Sequence, residues 1–514
     1  MNAMEHLIVV PIVLPLATAA LVTLVDERRL WLKGAISLAS IAALIGVAIV
    51  LMATAGSPRA YALGGWPAPF GIVLVADRLS IAMVALAAVL ALAATVFSLA
   101  RWHRASPRFH ALVQFLLMGL DGAFLTGDLF NLFVFFELLL AASYGLALYG
   151  SGTARVQASL HYIVINLVAS LFFLVGVSLI YGVTGTLNMA DLAHRIPAVP
   201  AGDRFLVEAG AAVMSLAFLV KAGMWPLGFW LPPAYAAASA PAAALLCILS
   251  KVGFYAVLRL WLLLFGGETY GAFLAAAGMA TLAFAIVGVL ASQSLGRIAS
   301  YSLLASSGML LAALGVGGAA AVGAALYYLA ASTLGIAALF LLTELVQRAR
   351  QPGADVIALT AEAFGMDAAE EGEDEPGIAI PAVMAVLGLS FMGCALLVAG
   401  LPPFPGFVGK FALLAAVLRP QGTGPAAWTL LALVMLSGLA SLVALARAGM
   451  RIFWATEWRT LPRVRVIEIA PVGMLLTLLL VLTVAAGPAM TYFQRAAHEL
   501  AARSGYIEAV LGRP

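Results

Sequence analysis

The sequence predicts an all-α, polytopic membrane protein with about 14 transmembrane helices. Of its 514 residues, 64% are hydrophobic and only 10% are charged, whereas about 25% of the residues of a soluble domain are charged. The hydrophobic residues form successive runs of about 20 residues, the length that an α-helix needs to cross a bilayer. Ionisable residues near the centre of several runs indicate an ion pathway through the protein interior.

The predicted helices divide the chain into four segments. Residues 1–108 hold three scaffold helices, and residues 109–265 hold a first unit of five helices, numbers 4–8. Residues 271–455 hold a second unit, helices 9–13, with an acidic cytoplasmic loop at 347–377, and residues 466–514 hold helix 14 and a tail. The spans are predicted at 6–25, 33–54, 79–100, 109–126, 128–150, 156–184, 207–230, 241–265, 271–293, 297–315, 319–346, 378–418, 427–455 and 466–490.

Prolines interrupt the seventh and twelfth spans, which are predicted to be discontinuous helices. The residues at these breaks are Pro226 in the seventh span and Pro402, Pro403, Pro405 and Gly406 in the twelfth. Proline removes a helical hydrogen bond, and unwound backbone at membrane depth persists only where protein or water satisfies it. Because the breaks are five spans apart, an odd offset, we expect two inverted repeats, spans 4–8 and 9–13, with the functional site between them.

The basic residues of the loops predict the orientation. The loops after odd-numbered spans hold far more Lys and Arg than the others, namely Arg28, Arg29, Lys33, Arg101, Arg104, Arg108, Arg155, Arg297, Arg348, Arg350, Arg459, Arg463 and Arg465. Because basic loops stay in the cytoplasm, both termini should face away from it, in a bacterial inner membrane. The acidic stretch from Glu362 to Glu375 is interpreted as a solvated cytoplasmic linker, or alternatively as a docking surface for another subunit.

Four ionisable residues are the main candidates for a proton pathway: Glu137, Lys221, Lys251 and Lys410. A charge at the bilayer centre costs about 2.5–3.5 kcal/mol, and Glu137 and Lys251 each lie about 14–15 Å into their helices. Burial and a nearby opposite charge have opposing effects on the proton affinity of a lysine, which is the property that a proton relay needs. The structural alternatives are a glutamate that joins two helices and, chiefly for Lys410, a lysine that extends to the membrane interface.

Other polar residues are weaker candidates. Asp121 is expected to cap a kink or line a cavity, Asp128 to cap the helix that carries Glu137, and His161 to be a structural histidine or an entry-side proton carrier. The serines at 292, 300, 302, 306 and 307 are expected either to hold waters or, as we favour, to let helices pack closely. Cys247 and Cys394 lie in apolar spans without neighbouring metal ligands, so they predict buried free thiols and neither a metal site nor a cofactor.

Several segments resemble the D-type subunits of the Mrp-type monovalent cation/proton antiporters. They are GAFLTGDLFNLFVFFE at 122–137, KAGMWPL at 221–227, SKVG at 250–253 and LPPFPGFVGKF at 401–411. The wider family includes the antiporter-like subunits of respiratory complex I and of membrane-bound hydrogenases. The resemblance implies that Glu137 and Lys221 form a switching pair, that Lys251 lies centrally and that Lys410 faces the exit.

One departure concerns the link from Lys251 to Lys410. Many relatives have a histidine in the region of Ala331 or Ser332, and some have a lysine near Ile336, but this chain has neither. The link is therefore expected to depend on water or on serines such as Ser332, or to conduct poorly.

The expected function is that of the proton-conducting subunit of a multisubunit antiporter, which exports Na+, K+ or Li+ in exchange for external protons. The expected partners are other membrane subunits and the bilayer, without nucleic acid. The alternatives are a proton-pumping module of a complex I-type oxidoreductase or hydrogenase, an organic-solute carrier with a roomy polar pocket beside the broken helices, and a non-conducting scaffold.

Overall fold

The computed structural model describes residues 3–150, 152–267, 270–349, 382–418, 424–454 and 464–512. The acidic stretch from Glu362 to Glu375 lies outside these residues.

Fourteen apolar helices follow one another in the predicted order within the described ranges. They are α1 (Val10–Leu24), α2 (Leu30–Ala53), α3 (Arg78–Ser98), α4 (Phe109–Leu125), α5 (Leu129–Ala147), α6 (Thr153–Thr184), α7a (Ala201–Ala222) with α7b (Leu231–Ala237), α8 (Ala240–Phe265), α9 (Gly271–Ala291), α10 (Leu295–Val316), α11 (Ala319–Ala349), α12a (Ala382–Ala399) with α12b (Pro405–Val417), α13 (Pro425–Gly449) and α14 (Val466–Val484). Twelve are long and apolar enough to cross a membrane, and α1 and α4 are shorter, with 15 and 17 residues. The prediction of a polytopic α-helical membrane protein is confirmed.

The two five-helix units pack their members in the same order. In the first unit, α4 contacts α5, α5 contacts α6, α6 contacts α7a and α7a contacts α8. In the second unit the corresponding contacts join α9 to α10, α10 to α11, α11 to α12b and α12a to α13. The fourth helix of each unit is the broken one, as predicted, and a buried lysine lies five residues from a proline of each break, Lys221 before Pro226 and Lys410 after Pro405.

The structure adds elements that the hydrophobic pattern does not predict. Strands β1 (Arg59–Ala62) and β2 (Val73–Ala76) form an antiparallel hairpin between α2 and α3. The last span ends at Val484 rather than at 490, because the next helix, Ala486–Ala502, is amphipathic and packs against α11, α3 and α8. The other short helices are Ala3–His6, Met189–Arg195 and Ser504–Leu511.

Candidate functional site

Glu137 lies on α5, which begins where the sequence predicts. The Oδ1 atom of Asp128 accepts a hydrogen bond from the backbone N–H of Asn131 at 2.9 Å, so Asp128 is the N-cap of α5. At a rise of 1.5 Å per residue, Glu137 lies about 14 Å along the helix from this cap. Its side chain is half-buried, and its Oε1 atom is buried without a hydrogen-bond partner among the described residues.

Lys221 lies in the last turn of α7a, directly before the first break. Gly223 ends the helix with φ at 79°, in the left-handed region that favours glycine. Beyond it, the backbone N–H of Trp225 donates to the hydroxyl of Thr281 on α9 at 2.9 Å, just before Pro226. The chain therefore unwinds at a point where a side chain of the second unit satisfies its backbone.

The ammonium group of Lys221 lies over the ring of Phe136, with Nζ 5.2 Å from the ring centroid. Lys221 is 4% exposed, and its Nζ atom has no hydrogen-bond partner in the described part of the chain. Within those ranges Glu137 and Lys221 do not form an ion pair at 4.0 Å or less. The amine of Lys221 thus lies against Phe136, the residue before Glu137. The ammonium of Lys221 and the carboxylate of Glu137 are near each other but not in direct contact.

Lys251 is fully buried on α8, and α8 lies in backbone contact with α7a. A Cβ atom added at Gly253 would lie 2.5 Å from the backbone nitrogen of Ala222, so only glycine permits this approach. Gly253 is two residues beyond Lys251, and Ala222 is one residue beyond Lys221. The contact therefore brings the segments that carry the two lysines together.

Two serines of α10 contact Lys251, and one of them contacts a serine of α11. Its Nζ atom donates to the hydroxyl of Ser306 at 2.9 Å and to that of Ser307 at 3.3 Å. The Ser306 hydroxyl is 2.9 Å from that of Ser332 on α11. The interpretation of Ser306 and Ser307 as mere packing residues is wrong, because a buried ammonium needs acceptors and these hydroxyls provide them.

The serines at 292, 300 and 302 bond to their own helices, and Ser302 also lines the small cavity beside Lys410. Each of these buried hydroxyls donates to a backbone carbonyl of the preceding helical turn, at 2.6 to 2.8 Å. Ser292, Ser300 and Ser302 therefore make no contact with a lysine through these bonds.

A small cavity continues the line from Ser332 to Lys410. Its volume is about 20 Å³, and its lining includes Tyr328, Ser332, Lys410, Ser437 and Ser441. A cavity of this size holds about one water molecule.

Lys410 lies on α12b and its ammonium group points at the second break. Nζ donates to the carbonyl oxygens of Ala399 at 3.0 Å and Val398 at 3.4 Å, at the C-terminal end of α12a. These are carbonyls that a helix end leaves without partners, and a cation is favourable there. Lys410 is 8% exposed, and these contacts favour a place at the break over extension to the membrane interface.

The prolines and glycines of the second break set this geometry. Gly400 has φ at 78°, and an added Cβ atom there would lie 2.6 Å from Cδ of Lys410. Pro405 is the first residue of α12b, after Pro402 and Pro403. A Cβ atom on Gly406 would lie 2.6 Å from the carbonyl oxygen of Leu397, so Gly406 lets α12b approach α12a closely enough for Lys410 to cap it.

Two weaker candidates take different places. His161 is exposed on α6, and its Nδ1 atom is 3.0 Å from the carbonyl oxygen of Gln157. Both expected roles, a structural histidine and an entry-side proton carrier, are compatible with this position. His161 borders an open surface cleft of about 690 Å³, together with Arg297. Asp121, by contrast, is fully buried on α4. Cys247 and Cys394 are buried free thiols, as predicted.

A second cleft opens at the end of the molecule that carries Arg101 and Arg155. It has a volume of about 480 Å³, and Tyr235, Ser239 and Glu344 contribute to its lining. The hydroxyls of Tyr235 and Ser239 are buried there without hydrogen-bond partners among the described residues. The cleft reaches the first turn of α8, about three turns before Lys251.

Sequence reasoning misses a buried ion pair between Arg259 and Asp77. Both side chains are 5% exposed, and Nη2 of Arg259 donates to Oδ1 of Asp77 at 2.9 Å, with a second contact from Nη1 to Oδ2. Arg259 also donates to the hydroxyl of Tyr255 at 3.0 Å. The sequence does show a second charged residue in this apolar helix, since Arg259 follows Lys251 by eight residues. It does not show the partner, because Asp77 is 182 residues away in the sequence.

We expect Arg259→Met to lower the stability of the protein by about 3–5 kcal/mol, because it leaves the carboxylate of Asp77 buried and unpaired. The matched control is Arg204→Met, since Arg204 forms an exposed pair with Glu208 that contributes about 0–1 kcal/mol. Thermal unfolding of the purified protein, compared between the two variants, measures the difference. Equal unfolding temperatures would show that the buried pair does not stabilise the fold.

Comparisons with known proteins agree with this architecture. Residues 126–440 match the family described as NADH:quinone oxidoreductase/Mrp antiporter, transmembrane. The chain is 54% identical to the D subunit of a probable K(+)/H(+) antiporter of Rhizobium meliloti (strain 1021), over 99% of this chain and 98% of that protein. It is 34% identical to the D subunit of the Na(+)/H(+) antiporter of Bacillus subtilis (strain 168), over 99% and 100% of the two chains.

A solved structure shows the same fold over the full length. A chain of the Mrp complex from Dietzia sp. DQ12-45-1b superposes with a TM-score of 0.85 at 26% identity, and the match covers 100% of both chains. The family expected from segments 122–137, 221–227 and 401–411 is confirmed. The chain therefore belongs to the NADH:quinone oxidoreductase/Mrp antiporter membrane-subunit family, and within it to the group of antiporter D subunits.

Proposed function

We propose that this chain is the proton-conducting subunit of a multisubunit antiporter that exchanges a cytoplasmic monovalent cation for external protons, driven by the proton gradient. One observation carries the proposal, namely the hydrogen-bonded line from Lys251 through Ser306 to Ser332. The small cavity lined by Ser332 and Lys410 extends this line. It connects the interior of the first unit to the break in the second.

Each member of the line can hold or pass a proton. The ammonium of Lys251 donates to Ser306, whose hydroxyl can release its own proton as it accepts another. One water in the cavity between Ser332 and Lys410 would complete the connection. A cavity of about 20 Å³ is smaller than the 300–1,000 Å³ of typical ligand pockets, and the larger pocket of about 580 Å³ at the second break is lined almost wholly by apolar side chains. Neither is the roomy polar pocket that an organic-solute carrier needs, and this favours ions as the cargo.

Glu137 and Lys221 control the entry to this line in our proposal. The ammonium of Lys221 is held by the ring of Phe136, an interaction of about 2 kcal/mol when desolvated. Movement of the amine between this ring and the Glu137 carboxylate would change its proton affinity. A proton released from Lys221 would then pass to the neighbouring helix that carries Lys251.

The proposed orientation places the arginine-rich end of the molecule in the cytoplasm of a bacterial inner membrane. This assignment rests on the basic loops, including Arg101, Arg104, Arg108 and Arg155, and puts both termini on the opposite side. The cleft near Ser239 then opens to the cytoplasm, where water can reach the first turn of α8. We also propose that the chain is divided into the four predicted segments 1–108, 109–265, 271–455 and 466–514.

We further propose that the chain works only together with other membrane subunits and is a transporter subunit rather than an enzyme. The relatives at 54% and 34% identity are antiporter subunits over nearly their whole length, which favours an antiporter over a redox-driven pump. The proteins that co-purify with the chain distinguish the two. An antiporter would yield membrane subunits alone, and a redox pump would also yield peripheral iron–sulfur proteins.

The test is cation/proton exchange in everted membrane vesicles that contain the complete set of subunits, in a host without its own antiporters. Addition of K+ or of Na+ should dissipate a respiration-generated pH gradient. Both cations are measured separately, because one relative is named for K+ and the other for Na+. Vesicles with an assembled complex that respond to neither cation would contradict the proposed function.

A further inference from the structure

Asp121 is an internal carboxyl group that the pathway described above does not use. It lies on α4 with 0% of its surface exposed, and both of its carboxyl oxygens lack a hydrogen-bond partner in the described ranges. Asp77 is a buried carboxylate of a different kind, because Arg259 and the N-terminus of α3 satisfy it. Asp121 makes no such contact, so it neither caps a helix nor joins two helices through a hydrogen bond.

The depth of Asp121 follows from two contacts of α4. Added Cβ atoms at Gly119 and Gly122 would meet Leu139 and Phe135 of the antiparallel helix α5 at less than 3 Å. This register places Asp121 at the level of Glu137. An ionised carboxylate without a partner is strongly disfavoured at such a depth, so the group must hold a proton or share one with a base.

A second contact joins α4 to α8. The hydroxyl of Tyr255 donates to the carbonyl oxygen of Phe124, and their rings pack edge to face. With α4 and α8 parallel in the proposed orientation, Asp121 lies three residues before Phe124 and Lys251 lies four residues before Tyr255. Asp121 and Lys251 therefore lie on adjoining helices, each about one helical turn before this contact.

The helices around α4 leave few other ionisable groups at this depth. α4 packs against α1, α2, α3, α5 and α8, and also against β2 and the turn that carries His103. α1 has no charged residue, α2 has only Lys33 near its start, and α3 has only Arg78 at its first position. α8 carries Lys251 and Arg259, and Arg259 is paired with Asp77. Glu137 on α5 has the same charge as Asp121, so Lys251 is the base without a carboxylate partner on the described helices that pack against α4.

We propose that Asp121 and Lys251 form an acid–amine couple that shares one proton across the α4–α8 contact, through water. In one state the carboxyl is protonated and the amine neutral. In the other the proton has moved to Nζ of Lys251, which leaves a carboxylate and an ammonium and keeps the total charge at zero. Asp121 would thereby supply the proton that Lys251 then passes to Ser306, and the next proton that arrives from Lys221 would protonate the couple again. The transport role of this couple rests on the proposed function.

Infrared difference spectroscopy of the purified complex tests the couple without measuring transport. The wild-type complex should show a protonated-carboxyl band that decreases as the pH rises, that Asp121→Asn removes and that Asp121→Glu shifts. In Lys251→Met the band should persist to higher pH, because the carboxylate has lost its cationic partner. A band that titrates identically in wild type and Lys251→Met would overturn the proposal, as would the absence of any Asp121-dependent band.

Exchange in everted vesicles gives the second readout. Asp121→Asn should lower the rate about tenfold or more with the complex assembled, and Asp121→Glu should retain most of it. Asp128→Asn is the matched control, because asparagine also caps a helix. If Asp121→Asn does not assemble, Asp121→Glu and Lys251→Met still decide the spectroscopic test. If the wild-type complex exchanges cations but its carboxyl band titrates identically in Lys251→Met, the couple alone is refuted. If the band responds to Lys251→Met but the wild-type complex exchanges no cation, the proposed function is refuted.

Discussion

Replacement of Lys221 by alanine should abolish cation/proton exchange and leave the complex assembled. The amine is 4% exposed, lies over Phe136 and makes no hydrogen bond within the described residues, so its loss removes no structural contact other than the aromatic one. Without it, the proposed pathway has no group that can exchange a proton with Glu137. We expect the rate in everted vesicles to fall about 100-fold or more.

Glu137→Gln should have the same effect, because the amide keeps the size of the side chain and loses the charge. The matched control for both variants is Asp128→Asn, which makes the same kind of change nine residues earlier and preserves the cap of α5. Native gel electrophoresis verifies the assembly of each complex. Exchange near the wild-type rate in an assembled Lys221→Ala complex would remove the proposed entry to the pathway.

The double variant Ser306→Ala/Ser332→Ala should lower exchange about 100-fold, and each single variant about tenfold. Ser306 accepts the hydrogen bond of Lys251 and contacts Ser332, so alanine at both positions interrupts the line on the side of Lys410. The effect should appear in the maximal rate of exchange rather than in the concentration of cation that gives half of this rate, since neither serine lies at the entry.

Ser300→Ala is the control for the serine variants. Ser300 is buried on the same helix as Ser306, but its hydroxyl donates to the carbonyl oxygen of Gly296. If Ser300→Ala and Ser306→Ala slowed exchange equally, the serines would act through packing, and another route would have to connect Lys251 to Lys410.

The features that could be predicted from the sequence have local causes. Hydrophobic runs give the helices, Asp128 caps α5 within three residues, and Pro226 and Pro405 mark the breaks. The depths of the four ionisable residues along their helices follow from the rise of an α-helix per residue. For this reason the fold class and the main candidate residues are visible before any contact is known.

The remaining features depend on contacts between distant segments. Ser306 lies 55 residues after Lys251, and its role depends on the rotation of α10 about its own axis. The sequence of a helix with several serines does not show which of them face α8. The pairing of Arg259 with Asp77 depends on the packing of α8 against α3. The β1–β2 hairpin is missed because strands of four residues give too short an alternating pattern to stand out between two spans.

The most direct test of the central claim is the exchange rate of Lys251→Met in everted vesicles, with the amount of assembled complex matched to wild type. Methionine approximates the length of the lysine side chain without a group that can hold a proton. We predict that neither K+ nor Na+ dissipates the pH gradient in these vesicles. Exchange at the wild-type rate would contradict the claim that protons pass through Lys251 and the serines beside it.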